Sequence, residues 1–191
     1  MDQHEALVVA VEEVHEVLGA ALDADWGVVA GGLEWSCRET AAHVASGLFW
    51  YAGQLASGQT DGFLAFGTEL DEPADTEALL DLVVAGGTVL ARTVEGGRDA
   101  DRAFHFYGIS DPSGFAAMGT VETIVHAWDI AQGLGVRWTP SSRSCAPPIE
   151  RLFPDAPAGD PSDVLLWCTG RRPLAGTPPR GSWRWDPTVR T

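Results

Sequence analysis

The chain has 191 residues, of which 45% are hydrophobic, including eight tryptophans, so it can bury a substantial core as one domain or as one domain with a small appendage. Its formal charge is −15, and all twelve basic residues are arginines. Nucleic acids and anionic membrane surfaces are bound through clustered positive charge, so this composition argues against both as partners.

The cysteine content and the apolar runs bear on the cellular compartment. The N-terminus lacks the pattern of a signal peptide, and no apolar run approaches the roughly 18 residues that a membrane span requires. Cys37, Cys145 and Cys168 are odd in number and far apart in the sequence, which fits free thiols better than a disulfide framework or a zinc knuckle. The sequence therefore predicts a cytoplasmic protein.

The first two helices are predicted from periodicity and from capping residues. From Glu5 to about Ala24, apolar residues recur at intervals of three and four, which predicts an amphipathic surface helix. After a glycine-bearing loop, Ser36 and Glu39 have the spacing of a capping box. A second helix is therefore expected from Cys37 to about Leu55, with a stop at Ser57-Gly58.

Two further helices follow along the chain. After a loop that contains Pro73, a third helix is predicted from about Thr76 to Val94, although Gly86-Gly87 inside it lowers the helix propensity. Asp111-Pro112-Ser113 has the pattern of a helix start, and Gly133-Leu134-Gly135 has the pattern of a helix end. These two segments bound the predicted fourth helix.

Four helices of roughly 20 residues predict an all-α fold, an antiparallel four-helix bundle that occupies residues 1–136. Residues 137–191 are rich in proline and contain short helical patterns at Ile149–Phe153 and Ser162–Cys168. Their leucine, phenylalanine and tryptophan content is too high for a solvated tail. We therefore expect a short proline-rich C-terminal extension that packs on the bundle.

The fourth helix carries the clearest candidate for a functional site. Its only ionisable side chains are Glu122, His126 and Asp129. At about 100° per residue, a step of four returns a side chain to within roughly 40°, so Glu122 and His126 can bind one ion together. His43, the only histidine of the second helix, completes a set of two imidazoles and one carboxylate. That set suits Zn²⁺ with one open position and also suits non-haem iron. Asp129 is a candidate to accept the second ring N–H of His126.

Two other interpretations of these residues remain open. In the first, His43, Glu122 and His126 form a buried polar network in a non-catalytic binding module. In the second, the metal is structural, which requires a fourth protein ligand such as His105 or an acidic side chain of the extension. His105 stands between Phe104 and Phe106 and is either a functional residue near the open position or a packing residue.

Two motifs carry a resemblance to a known superfamily. The segment from Trp35 to Val44 resembles the motif Trp-Thr-x-Arg-(Asp/Glu)-x-x-x-His, and the segment from Val121 to Ala131 resembles Glu-x-x-x-His-x-x-Asp-(Leu/Ile)-Ala, both of the DinB-like superfamily. The sequence is most similar to the metal-binding domain of mycothiol-dependent maleylpyruvate isomerase. This resemblance implies that His43, Glu122 and His126 bind a divalent metal ion, usually zinc, in a four-helix bundle.

The resemblance also implies a chemistry. Family members commonly use a low-molecular-weight thiol, mycothiol in actinobacteria, whose sulfur the metal can hold as a thiolate. The thiolate would be transferred to a small electrophilic substrate or would catalyse its cis–trans isomerisation. An arginine of the isomerase's larger C-terminal domain acts on the substrate, so Arg171 and Arg172 are candidates for a carboxylate clamp. Alternatively, they are surface arginines or pair with the chain's own carboxylates. The sequence leaves open whether a homodimer forms.

Overall fold

The structure, a computed structural model, describes residues 1–67 and 74–189. Pro73, which the sequence analysis placed in a loop, lies outside the described residues. Within the described ranges the chain forms a mostly helical fold with one short hairpin. The elements in chain order are α1 Gln3–Gly19, α2 Cys37–Ser57, α3 Thr76–Glu95, β1 Ala103–His105, β2 Gly108–Ser110, α4 Pro112–Gly133, α5 Ser142–Leu152 and α6 Pro161–Cys168. None of these helices combines the length and the apolarity that crossing a bilayer requires.

The first four helices form the predicted bundle, with α4 in its most enclosed position. Helix α1 packs against α3 and α4, α2 packs against the same two helices, and α3 also contacts α4. Helix α4 is covered further by α5 from the extension. Sixteen of its 22 residues are buried, so it has almost no solvent-facing side. The prediction of an all-α, DinB-like helical bundle is confirmed.

Local capping explains why α2 and α4 begin where the sequence analysis placed them. The Ser36 hydroxyl accepts a hydrogen bond from the Glu39 amide at 3.1 Å, and the Glu39 carboxylate accepts one from the Ser36 amide at 2.8 Å. The Asp111 carboxylate likewise accepts a hydrogen bond from the Gly114 amide at 2.7 Å. Helix α2 ends at Gly58, whose φ of 64° is a left-handed conformation that favours glycine.

Helix α1 differs from its prediction at both ends. It begins at Gln3, because Asp2 and Glu5 form a capping box that the periodicity does not reveal. It ends at Gly19 and not near Ala24, so the predicted end was wrong. The chain turns after Gly19, and the indole N–H of Trp26 donates a hydrogen bond to the Ala21 carbonyl at 3.0 Å. This turn returns Trp26 to the core beside the end of α1.

The hairpin before α4 was not predicted. Its strands pair in antiparallel register, with Ala103 opposite Ser110 and Phe104 opposite Ile109. Two strands of three residues are too short to produce a recognisable alternation of apolar and polar side chains. The hairpin also holds the extension, since the Ser110 hydroxyl donates a hydrogen bond to the Pro187 carbonyl at 2.9 Å.

The C-terminal extension packs on the bundle as expected. Helix α5 contacts α1 and α4, and α6 contacts α5. Helix α5 begins at Ser142, seven residues before the predicted helical segment that starts at Ile149. The difference arises because the helix continues through Pro147 and Pro148. Both prolines are buried, which offsets the backbone hydrogen bonds that they cannot donate. The division into domains 1–136 and 137–191 stays a prediction.

Glu13 joins the extension to the bundle. Its Oε1 accepts hydrogen bonds from the Trp138 indole N–H at 3.0 Å and from the Ser141 amide at 2.8 Å. Its Oε2 accepts a third from the Ser144 hydroxyl at 3.1 Å. One carboxylate of α1 therefore fixes the segment that leads into α5.

The two glycines inside α3 mark the places where neighbouring helices approach most closely. A Cβ added at Gly86 would lie 3.0 Å from the Leu48 Cβ of α2, and a Cβ added at Gly87 would lie 2.4 Å from the Val11 Cγ2 of α1. The glycines lower the helix propensity of α3, but they allow it to contact both partners.

We predict that Gly87→Ala lowers the free energy of unfolding by up to about 2 kcal/mol, because overpacking costs about 1–3 kcal/mol and the helix-propensity gain returns only about 1 kcal/mol. The matched control is Gly47→Ala in α2, where no atom lies within 4 Å of the added Cβ. That variant should be stabilised by about 0.5–1 kcal/mol. Urea denaturation measures both, and equal stabilisation of the two variants would contradict the packing argument.

Candidate metal centre

Helices α2 and α4 bring three potential metal ligands together. His43 lies on α2, and Glu122 and His126 lie one turn apart on α4. The Glu122 Oε2 is 3.6 Å from the His43 Nε2 and 3.2 Å from the His126 Nε2. The two imidazole rings are nearly perpendicular, with centroids 5.1 Å apart. Both histidines therefore direct Nε2 towards the same carboxylate.

This arrangement fits a divalent metal ion. The three ligand atoms all lie within 4.8 Å of one another. Zinc bonds of about 2.0–2.2 Å at tetrahedral angles place neighbouring ligand atoms roughly 3.4 Å apart, a spacing that lies between the two distances to Glu122. Over residues 1–67 and 74–189, no further His, Cys, Asp or Glu joins the group. The described residues thus offer three ligands and leave a fourth position open, which does not fit a closed structural site.

The open side of the group faces a cavity of about 350 Å³. Side-chain exposure falls from 44% at His43 to 19% at Glu122 and 14% at His126, so the group is reached from the His43 side. The cavity lies between α2, α4, the loop that precedes α2 and the C-terminal extension. Its walls are formed by Leu33, Glu34, Trp35, His43, Val121, Glu122, Val125, His126, Arg171 and Trp183.

Burial and charge act in opposite directions on the two ionisable groups of α4. Burial alone would raise the pKa of Glu122, but hydrogen bonds and charge from His126 and His43 outweigh it and lower the pKa to about 2. Burial alone would lower the pKa of His126, but Asp129 and Glu122 outweigh it and raise the pKa to about 9. Without a metal ion, Glu122 and His126 therefore form an ion pair at neutral pH, and a bound cation would replace the His126 proton.

Asp129 connects the candidate ligands to the C-terminal extension. Its side chain is only 2% exposed, and its Oδ2 lies 3.4 Å from the His126 Nδ1. Both of its oxygens face Arg171, with the Oδ2 to Nη2 distance 2.7 Å and the Oδ1 to Nε distance 3.3 Å. The His126 Nδ1 is buried and makes no hydrogen bond to any described residue. If His126 binds a metal through Nε2, its Nδ1 carries a proton, and Asp129 is placed to accept it.

The two candidate arginines have different surroundings. Arg171 lines the cavity, but its guanidinium binds Asp129 and donates a further hydrogen bond to the Thr169 carbonyl at 2.8 Å. Arg172 pairs with Asp163 at 2.9 Å, is half-exposed and does not line the cavity. Both contacts match the alternative in which these arginines pair with the chain's own carboxylates. A direct role on the substrate stays a prediction for both residues.

His105 lies in strand β1 and not in the cavity wall. Its side chain is buried among aromatic rings, with centroid distances of 5.9 Å to Tyr51 and 5.7 Å to Trp185. Its Nδ1 accepts a hydrogen bond from the Tyr107 amide at 3.2 Å. Burial lowers the pKa of His105 to about 4, although the charge of Glu122 acts in the other direction. The packing interpretation therefore has more support than a role as a metal ligand.

Six of the ten residues of the cavity wall were not predicted as site residues, and three of them lie outside the two motifs. Leu33 and Glu34 come from the loop before α2, and Trp183 comes from the extension. Gly31 positions this loop, because its φ of 48° is left-handed and an added Cβ would lie 3.2 Å from the Asp129 Cα. The glycines of this loop were the only local signal, and nothing in the pattern around Trp183 indicates that it reaches the site.

Residues 7–131 match the family described as "Mycothiol maleylpyruvate isomerase N-terminal domain". The match covers more than half of the chain and includes His43, Glu122 and His126, whereas Arg171 follows the last matched residue. No curated protein and no solved structure matched the chain. The chain therefore belongs to the mycothiol maleylpyruvate isomerase N-terminal domain family, within the DinB-like superfamily.

The lowered pKa of His105 predicts a loss of stability in acid. The unfolded chain takes up a proton near pH 6.5, whereas the folded protein does so only near pH 4. Above pH 6.5 His105 is neutral in both states. As the pH falls from 6.5 to 4, the unfolded state binds the proton first and the free energy of unfolding decreases, by about 3 kcal/mol at pH 4.

The test compares His105→Gln with the wild type by urea denaturation at pH 7.5 and at pH 4.5. Glutamine keeps a hydrogen-bond acceptor but does not titrate, so the variant should lose less stability between the two pH values. A packing defect in the variant lowers the free energy of unfolding equally at the two pH values, so it does not affect the change in stability between them. An equal pH dependence in the two proteins would show that His105 titrates normally in the folded state.

Proposed function

We propose that this member of the mycothiol maleylpyruvate isomerase N-terminal domain family is a metal-dependent enzyme that joins a small-molecule thiol to an electrophile or uses the thiol to isomerise one. The single observation that carries the proposal is the group of His43, Glu122 and His126, whose ligand atoms lie within 4.8 Å of one another at the wall of a cavity. The donor set of two imidazoles and one carboxylate, with an open position, is typical of catalytic zinc.

The proposed ligands would hold the ion through the Nε2 atoms of His43 and His126 and a carboxylate oxygen of Glu122. When bound, a divalent ion, in our proposal zinc, supplies Lewis acidity that keeps a coordinated thiol deprotonated near neutral pH. With the ion bound, the His126 Nδ1 would carry a proton, and Asp129, whose Oδ2 lies 3.4 Å away, would accept a hydrogen bond from it and keep this ring oriented towards the ion. Arg171 holds the Asp129 side chain in place through contacts to both carboxylate oxygens.

The nucleophilic thiol must come from outside the chain. Cys37, Cys145 and Cys168 are all buried and free, and none of them lines the cavity. Burial raises the pKa of each thiol, which leaves little thiolate at neutral pH. The family's description names mycothiol, and we propose this thiol, or one of the same class, as the cofactor. Three free thiols also support the proposal of a cytoplasmic location.

The remaining cavity residues position the reactants. Trp35 and Trp183 form apolar walls, and the Trp35 ring lies 5.0 Å from the His43 ring. These walls offer aromatic surface on which the apolar part of a reactant can pack. A thiol and an electrophile held together in this cavity would react with the advantage of proximity.

The proposal predicts that the purified protein contains close to one equivalent of a divalent metal. His43→Ala and His126→Ala should each reduce the content to near zero, because two remaining ligands bind zinc weakly. His15→Ala provides the matched control, since it removes an exposed histidine from α1 and should leave the metal content unchanged. Elemental analysis of protein purified without chelator measures all four samples. Natively folded wild-type protein without metal would contradict the proposal.

The open position predicts a response to thiols. In the cobalt-substituted protein, addition of mycothiol should produce a sulfur-to-cobalt charge-transfer band and raise the melting temperature, because a ligand of the folded state stabilises it. A closed structural site should give neither change. Cobalt-loaded protein whose spectrum is insensitive to mycothiol and to other small thiols would contradict the proposed use of a thiol cofactor.

A further inference from the structure

We infer that the electrophile accepted by this site is a neutral, mainly apolar molecule and not a dicarboxylate. The inference rests on the proposed function, because it concerns the second reactant of the same cavity. It separates this chain from the maleylpyruvate named in the family's description, which is a diacid.

The guanidinium that faces the cavity already has partners inside the protein. Among the residues that the structure describes, Arg171 is the only arginine or lysine that lines the cavity. Two of its nitrogens bind Asp129, and the third donates to the Thr169 carbonyl. Its side chain is 13% exposed, and the guanidinium lies 5.9 Å from the centre of the Trp183 ring. The Nε–Nη2 edge, which could bind a carboxylate through two hydrogen bonds, is thus occupied, so a substrate carboxylate could take this edge only by displacing the buried carboxylate that Arg171 binds at 2.7 Å.

Carboxylates outnumber cationic side chains around the cavity. Glu34 and Glu122 line it, and Asp129 lies directly behind His126. Three carboxylates and one guanidinium leave a formal charge of −2, which a divalent ion only cancels. A bound thiolate then makes the site negative before the electrophile enters. A dianion would meet like charge on entering, whereas a neutral molecule would not.

The remaining walls of the cavity are apolar. Leu33, Trp35, Val121, Val125 and Trp183 provide the rest of the lining. These side chains offer apolar and aromatic surface, which favours hydrophobic parts of a ligand. A volume of about 350 Å³ is suited to a small molecule.

A pair of matched ligands tests the inference. Mercaptosuccinate and its dimethyl ester share a skeleton and an anchoring thiol but differ by two carboxylate charges. Each is titrated into the cobalt-loaded protein while the sulfur-to-cobalt band is recorded, and affinities are compared after correction for the pKa of each free thiol. The ester should bind at least tenfold more tightly. Tighter binding of mercaptosuccinate would overturn the inference.

Two variants test whether the pairing of Arg171 with Asp129 causes the preference for the ester. Asp129→Asn removes the ionised partner of Arg171, so the freed guanidinium should reduce the preference for the ester at least tenfold. The matched control is Asp163→Asn, which removes the partner of Arg172 outside the cavity and should leave the preference unchanged. If Asp129→Asn does not fold, Glu34→Gln at the exposed cavity edge should reduce the preference two- to threefold. An unchanged preference in Asp129→Asn, or in its substitute, would overturn the assignment.

A measurement without metal separates this inference from the proposed function. Dimethyl maleate and maleate are titrated into metal-free protein without added thiol while the intrinsic tryptophan fluorescence is recorded, to which Trp35 and Trp183 of the cavity wall contribute. Preferential binding of the diester supports the inference, and preferential binding of maleate overturns it. If the protein binds no cobalt, or if no thiol changes the cobalt spectrum, the proposed function is contradicted. The inference is then still tested, because the fluorescence comparison measures the charge preference without metal or thiol.

Discussion

Burial of α4 on nearly every side is the constraint on which the site depends. An ionised side chain inside such a helix is strongly disfavoured unless a partner of opposite charge or a hydrogen bond compensates it. Glu122 lies against His43 and His126, and Asp129 lies against Arg171. The partners of α4 therefore come from α2 on one side and from the C-terminal extension on the other. The same contacts that allow α4 to be buried also assemble the candidate metal centre.

The extension is part of the site, because its Arg171 compensates the most buried carboxylate of α4. Asp129 is 2% exposed, and its contacts to both Nε and Nη2 of Arg171 fix the plane of the carboxylate. One oxygen of this carboxylate lies 3.4 Å from the His126 Nδ1. Docking of the extension, which Glu13 anchors from α1, thus determines the orientation of a group next to a proposed ligand.

The sequence predicted those features whose cause is local. The caps of α2 and α4 depend on residues three apart, and the pairing of Glu122 with His126 depends on one helical turn. The association with His43 required only that α2 and α4 be neighbours in a bundle. The pairing of Arg171 with Asp129 spans 42 residues and has no periodic signal, so local patterns left it as one of two alternatives. The early end of α1 and the hairpin were missed for a related reason, since Trp26 packs into the core beside residues of other helices and Ser110 bonds to Pro187 of the extension.

An arginine near a metal centre is not by itself a site for a substrate carboxylate. A guanidinium presents several N–H donors in one plane. A protein group that already accepts hydrogen bonds from two of them limits how a substrate carboxylate can bind. In this protein an internal carboxylate takes that place, so the arginine serves the geometry of His126 and adds no free positive charge to the cavity. The candidate ligands on α2 and α4 lie within the residues that match the family, whereas Arg171 lies outside them. The extension, through the partner it gives to Asp129, determines the charge of the electrophile that can approach.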